Sequence, residues 1–354
     1  MNQPSLGRRG ALRAVAASAA LIPLGAMAPL VRPRADPLAG TPICRVADSA
    51  PAIVAKAGTK LRLTWNANAI CTVGVPVAVQ HGLFTKHGLD VEPINFGGST
   101  DQLLEAISTG KADAGVGMAL RWLKPLEQGF DVKFTTAIHG GCMRLFTAQG
   151  SPIKSVADLK GKVVGVSDMA APDKNFFSIA AAKLGLDPNS DITWRQFPAD
   201  LLGVALKKGE VEAFTLGDPL GWVVRERDNL VEVANNLSGE FAHRACCVLG
   251  IRGSLVRDDR GAAAALTQAL LEAQHFVAEH PDESAAVFAR YSPAPQSQLA
   301  AMLRSQTHAH HPVGGDLRQE IALYAEELKL VGVMRKNTDP QRFAAKVTAD
   351  VLST

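Results

Sequence analysis

Apolar positions along residues 59–251 switch between two periods. Short runs such as Leu61-Arg62-Leu63-Thr64-Trp65 and Val163-Val164-Gly165-Val166 read as strands, and stretches with apolar residues three and four apart read as helices. The clearest unit spans 76–117. An amphipathic helix over 75–86, carrying Val77, Val79, Leu83 and Phe84, stops before Gly88. Val91, Ile94 and Phe96 then mark an extended run, and Gly97-Gly98-Ser99-Thr100 turns the chain into a helix over 101–108. Ser99 with Gln102 fits a capping box, and Asp101 adds an acid to the first turn. A strand that passes through paired glycines into a helix leaves backbone N–H groups pointing outward. Ser99 and Thr100 are therefore candidates to cradle a polar or anionic group. The same glycines also suit an ordinary strand-to-helix turn that binds nothing.

The rhythm continues. Strands are expected at 113–117, 132–138, 143–148, 163–166, 191–197, 211–215, 231–234 and 245–251, with helices between most of them, and helices at 262–280, 284–291, 296–307, 317–331 and 340–352 close the chain. Alternating strands and helices imply parallel sheets covered on both faces. In such sheets, ligands bind at the loops after the carboxyl ends of strands. Those loops hold Asn68 and Cys71, His139 and Cys142, Met169 and Ala170, and Asp218-Pro219. Each has a plainer reading too: Asn68 as a turn residue, Asp218 as a helix N-cap.

The segment HGLFTKHGLDVEPINFGGSTDQLLEAISTGKADAG (residues 81–115) resembles the opening of the solute-binding proteins of nitrate, sulfonate, taurine and bicarbonate ABC importers, a superfamily that includes thiamine-pyrimidine-precursor binders. SPIKSVADLKGKVVGVS (151–167) resembles the phrase that enters their second lobe, and HPDESAAVFARY (280–291) resembles their C-terminal helices. The likeness covers roughly residues 61–351. It implies an α/β, type II periplasmic-binding-protein fold, with two parallel-sheet lobes, a cleft, two crossovers and a helical C-terminal region. Lobe one would comprise 59–142 and 245–354, and lobe two 143–244, with the hinge near 139–150. The implied function is capture of a small polar or monoanionic ligand for an ABC permease in the inner membrane, without catalysis. Asn68, Cys71, Ser99, Thr100, His139 and Cys142 would line the lobe-one wall, and Met169, Ala170 and Asp218 the lobe-two wall.

The first residues read as an address rather than as fold. Arg8-Arg9 precede an Ala-rich apolar run and an Ala26-Met27-Ala28 cleavage pattern, which together resemble a twin-arginine export signal over 1–28. The protein is thus expected in the periplasm, delivered by the twin-arginine machinery, with 29–58 as a Pro/Ala-rich tether. Removing Arg8, Arg9 and Arg13 with the signal lowers the 37 basic residues to 34, equal to the 34 acidic ones. The formal +3 belongs to the signal, so nothing suggests nucleic acid. A monomer without a cofactor is expected. No GxSxG, P-loop, HExxH or dinucleotide fingerprint occurs.

Histidine and cysteine supply the remaining chemistry. The five cysteines are Cys44, Cys71, Cys142, Cys246 and Cys247. Cys246 and Cys247 suit a buried strand, where a free thiol packs as a small hydrophobe. In an exported protein a Cys142–Cys246 disulfide is open. The polar strand ends could hydrogen-bond an organic ligand. A soft-metal site built from His139, Cys142, His243 and Cys246, with Cys71 nearby, is the remaining reading, although the spacings lack a short metal motif. On that reading the protein would deliver a metal; an enzyme of the pyrimidine-precursor type is a further alternative, and a sensor partner another. His308, His310 and His311 read as a solvated loop.

Overall fold

The computed structural model of the protein describes residues 52–96, 100–306 and 310–353. The expected signal, most of the tether with Cys44, the Gly97-Gly98-Ser99 turn, the Thr100 side chain and His308 lie outside them. From residue 59 the chain runs β1 (Thr59–Trp65), α1 (Gly74–Gln80), α2 (Leu83–Lys86), β2 (Leu89–Asn95), α3 (Thr100–Ser108), β3 (Ala114–Met118), α4 (Ala119–Glu127) and β4 (Val132–His139). It continues through β5 (Met143–Thr147), β6 (Val163–Val166), α5 (Pro172–Lys183), β7 (Thr193–Gln196), α6 (Leu202–Lys207), β8 (Ala213–Gly217), α7 (Leu220–Asp228) and β9 (Val231–Asn235). After β10 (Cys247–Arg252) come α8 (Gly253–Asp258), α9 (Arg260–Glu279), α10 (Pro281–Phe288), α11 (Gln296–Ser305), α12 (Gly314–Leu330) and α13 (Pro340–Val347).

Two five-stranded sheets result, ordered β2-β1-β3-β10-β4 and β7-β6-β8-β5-β9. The sheets are mixed rather than purely parallel, because β10 runs antiparallel to β3 and β4, and β5 runs antiparallel to β8 and β9. The reason is topological. The chain leaves each sheet at the carboxyl end of a strand, at the edge that faces the other lobe. The strand that enters from across the gap therefore starts at that edge and runs back against its neighbours. The helix expected over 75–86 is two helices, since Gly82 adopts φ 63° between them, a left-handed conformation that glycine takes without strain.

Residues 52–58, at the end of the expected tether, are docked on lobe one. The amide of Ile53 donates to Gln268 Oε1 at 2.8 Å, and that of Ala55 donates to the His87 carbonyl at 3.0 Å. Helices α1 and α9 pack together on the first sheet, and α9 buries an almost unbroken face of alanine and leucine against β4.

One packing contact fixes how α4 sits on the first sheet. Trp122, wholly buried, lies over β3 and β10 where Gly117 and Gly250 leave room, and it stacks with Phe134 of β4 at 6.3 Å between ring centres. A Cβ at Gly117 would come within 2.1 Å of the indole. Gly117→Ala should therefore destabilise the protein by about 1–3 kcal/mol through overpacking, read as a lower urea midpoint at unchanged m-value. A neutral effect would mean that the indole moves aside freely.

Candidate functional site

The two lobes face each other across the carboxyl ends of their parallel strands, and the chain passes between them twice, at 140–142 and 236–246. The first passage is short. Gly141 takes φ 85°, and a Cβ there would lie 2.0 Å from Leu237, so only glycine fits. Asn236, in the second passage, accepts the amides of Cys142 and Met143 at 3.0 and 2.9 Å. One buried side chain thus ties both passages. The second passage is also pinned to α12. Arg244 forms two 2.8 Å bonds to Glu327, and the Tyr324 hydroxyl donates to the Ala245 carbonyl.

Between the lobes lies a cavity of about 480 Å³. Asn68 and Cys71 line it from the loop after β1, Cys142 from the first passage, and Asp218 from the end of β8; Met118, Arg121, Ser167, Asp168, Asp173 and Gly217 complete much of the wall. Met169 and Ala170 instead line a neighbouring cavity of about 350 Å³ beside Arg121 and Lys174. His139 is buried behind the cleft and does not line the cavity. Ser99 and the Thr100 side chain lie outside the described residues.

The lobes already touch. Arg121 of α4 reaches Asp168 of lobe two at 3.2 Å while also pairing with Asp101 of lobe one. Asn175 donates to the Leu120 carbonyl at 3.1 Å, and the Ile70 amide donates to the Asp218 carbonyl at 3.3 Å. Arg121 went unremarked in the sequence. Its signal was position: a cation in the first turn of the helix that follows β3, at the cleft end of that strand.

Asp218 is buried, and its carboxylate is neutralised from within lobe two. Arg144 of β5 bonds it at 2.8 Å, bonds Glu232 at 2.7 Å, and lies over the Trp222 ring. Asp218 also accepts the Trp222 amide at 3.2 Å, so it caps α7 as well as lining the cleft. Burial pushes its carboxyl up to about 6 against the pull of Arg144. Asp173, at the start of α5, is likewise pushed up by burial, while its Oδ2 accepts the Thr215 hydroxyl at 2.5 Å.

Behind the cleft wall, four cysteines converge. They fall in two pairs, Cys71 with Cys247 and Cys142 with Cys246. The Cys142 and Cys246 sulfurs lie 3.5 Å apart, unbonded, so the disulfide read as open in the sequence is not formed. Hydrogen bonds from Cys142 and Cys247 lower Cys71 to about 6, whereas Cys246 and Cys247 are pushed up, Cys246 first by its interaction with Cys142 and Cys247 first by its interaction with Cys246, with burial adding to both. A ring nitrogen of His139 and the sulfurs of Cys71 and Cys247 lie within 4.8 Å of one another. The set differs from the one read in the sequence. His243 is exposed on the second passage, and Cys71 and Cys247 stand nearest His139 instead. His310 pairs with Glu320 at 3.0 Å, away from the thiols.

The model of the NMT1/THI5-like proteins matches residues 71–284. The chain belongs to the NMT1/THI5-like family. Among related sequences, this NMT1/THI5-like protein is 26% identical over 226 residues to a Brucella abortus protein described only as a binding protein, covering 63% of this chain and 68% of that one. The periplasmic aliphatic sulphonate binding protein SsuA from Escherichia coli superposes with a TM-score of 0.69 at 19% identity, over 81% of this chain and 92% of that one. The periplasmic nitrate-binding protein NrtA from Synechocystis PCC 6803 superposes with a TM-score of 0.67 at 15% identity, over 83% and 87%. The fold is therefore the periplasmic-binding-protein fold.

Two predictions test the charge arrangement in this NMT1/THI5-like cleft. Arg144→Met leaves Asp218 buried without its counter-charge and should cost about 3–5 kcal/mol of stability in denaturant titrations; a loss under about 1 kcal/mol would show that the pair is dispensable. Asp218 titrates at 3.8 when unperturbed and at about 6 in the fold, so the folded state holds its proton more tightly. Its contribution is full below 3.8 and is lost as pH rises through about 6. Over that window, wild type should lose stability relative to Asp218→Asn, and parallel curves would refute the shift.

Proposed function

We propose that the protein is the solute-binding component of an ABC importer, capturing a small polar, zwitterionic or monoanionic molecule between its lobes and presenting the closed form to a membrane permease. The observation that carries this reading is the cavity of about 480 Å³, lined from both lobes by loops at strand carboxyl ends. A small molecule held there touches both lobes at once, and its binding energy favours the closed arrangement over the open one. The names of the sulphonate-binding and nitrate-binding neighbours supply the class of solute.

The charges in the cleft argue against a dianion. Arg121 is already shared between Asp101 and Asp168, and Arg144 between Asp218 and Glu232. No cation is left over for a second negative charge among the described lining residues. The start of α3, with Ser99 and Thr100, is proposed to supply the donors for one anionic or polar group. No bond is made or broken. Export by the twin-arginine route, residence in the periplasm and a monomeric state complete the proposal; among the described residues no helix is long and apolar enough to cross a membrane.

Gly217 offers the sharpest test. It lines the cavity, and a Cβ there would meet only the Cys142 carbonyl, at 3.7 Å. Gly217→Leu should fill the pocket from lobe two and weaken solute binding by at least about tenfold, with stability nearly unchanged. The readout is calorimetric titration with alkanesulfonates, nitrate, bicarbonate and zwitterionic amines, guided by the mass of any adduct seen in native mass spectrometry. Equal affinity in wild type and variant would remove the cleft from solute recognition.

A further inference from the structure

Four of the five cysteines meet at one buried place, although they come from three distant segments: the loop after β1, the first passage, and the second passage where it enters β10. Each is at most 4% exposed. Thiols that merely fill a core have no reason to seek each other across 176 residues of chain. His139 stands against two of them with its ring already oriented. Nδ1 faces the Gly140 carbonyl at 3.1 Å and must donate to it, which leaves Nε2 as the lone-pair nitrogen. That Nε2 is buried and has no hydrogen-bond partner, an arrangement that is costly unless something accepts the lone pair.

We propose that Cys71, Cys247 and His139 bind one soft d10 cation, Cu(I) or Zn(II), at the floor of the cleft, with the fourth position open. The distances are of the right size. Ligand sulfurs around a tetrahedral ion at about 2.3 Å stand roughly 3.8 Å apart. Here the Cys71, His139 and Cys247 ligand atoms fall within 4.8 Å of one another. The donors are sulfur and imidazole nitrogen, a set that favours soft and borderline ions over calcium or magnesium. The Gly140 carbonyl provides the outer hydrogen bond that metal-binding histidines use to fix their tautomer. Cys71 and Cys142 also line the cavity, so the bound ion is open to a solute from the cleft side. The inference deepens the importer reading and rests on it: the captured solute is a small polar or monoanionic molecule that ligates the ion.

The test is an anaerobic titration of the reduced, metal-free protein with Cu(I) against bicinchoninate, and separately with Zn(II) against a chromophoric chelator. One equivalent of one of these ions should be withdrawn from its chelator, and the arm that succeeds names the ion. A Co(II) titration should show the intense near-ultraviolet thiolate charge-transfer bands. Cys71→Ser, Cys247→Ser and His139→Gln should each weaken binding by at least about tenfold, with circular dichroism confirming the fold. Wild-type protein that competes with neither chelator would overturn the proposal without reference to any variant. So would a disulfide that joins Cys71 or Cys247 in protein isolated without reductant, seen by intact mass. Solute titrations of wild type and of Gly217→Leu, each run with the ion added and after chelation, read the importer function separately: solute binding that is the same with and without the ion overturns the metal site while solute capture stands.

Discussion

The side chain of Asn236 holds the molecule together at its narrowest point. Two lobes connected by only two passages of chain need those passages to stay in register, or the strand-end loops will not face one another. By accepting the amides of both Cys142 and Met143, Asn236 fixes the start of β5 against the end of β9 and orients the passage that contains Gly141. The Asp218 amide donates to the Cys142 carbonyl, and the Cys246 amide donates to the His139 carbonyl. The cleft floor is therefore a knot of backbone hydrogen bonds contributed by both lobes. Its donors and acceptors are buried and paired, which keeps it from unravelling locally.

Around that knot, charge is satisfied by the cleft's own side chains before any ligand arrives. Arg144 lies between two carboxylates and a tryptophan face, and Arg121 between two carboxylates on opposite lobes. The two arginines differ in consequence. Arg144 belongs to one lobe and stiffens it. Arg121 spans the gap, partly exposed, so its pair with Asp168 contributes little to overall stability and can break when the lobes separate.

Most of the strand and helix order was legible in the sequence, because apolar periodicity and glycine punctuation carry it directly. The position of Asp218 and Cys142 at strand ends followed from the same rhythm. Three things were not legible. The antiparallel run of β5 and β10 depends on which edge the chain crosses, and periodicity does not encode direction. Arg144 sits in a strand of apolar residues, and only the fold shows that its partners, Asp218 and Glu232, come from 74 and 88 residues away. The thiol cluster likewise depends on long-range placement: His243 is as near in sequence to Cys246 as a ligand would be, yet its side chain faces solvent, while Cys71, more than 170 residues earlier, stands beside His139 and Cys247.

The place of β10 has a bearing on how the molecule assembles. It sits inside the first sheet, between β3 and β4, and pairs with both. Those two strands share no hydrogen-bonded border of their own, so the earlier four strands of the sheet remain two separate pieces until residues 247–252 arrive. The second sheet draws all five strands from one uninterrupted stretch, 143–235. Contacts of short sequence separation form sooner than distant ones, so the lobe encoded in the middle of the chain is the one able to fold first. The lobe that begins the fold must wait for its centre, and the four thiols come together only when that last strand is in place.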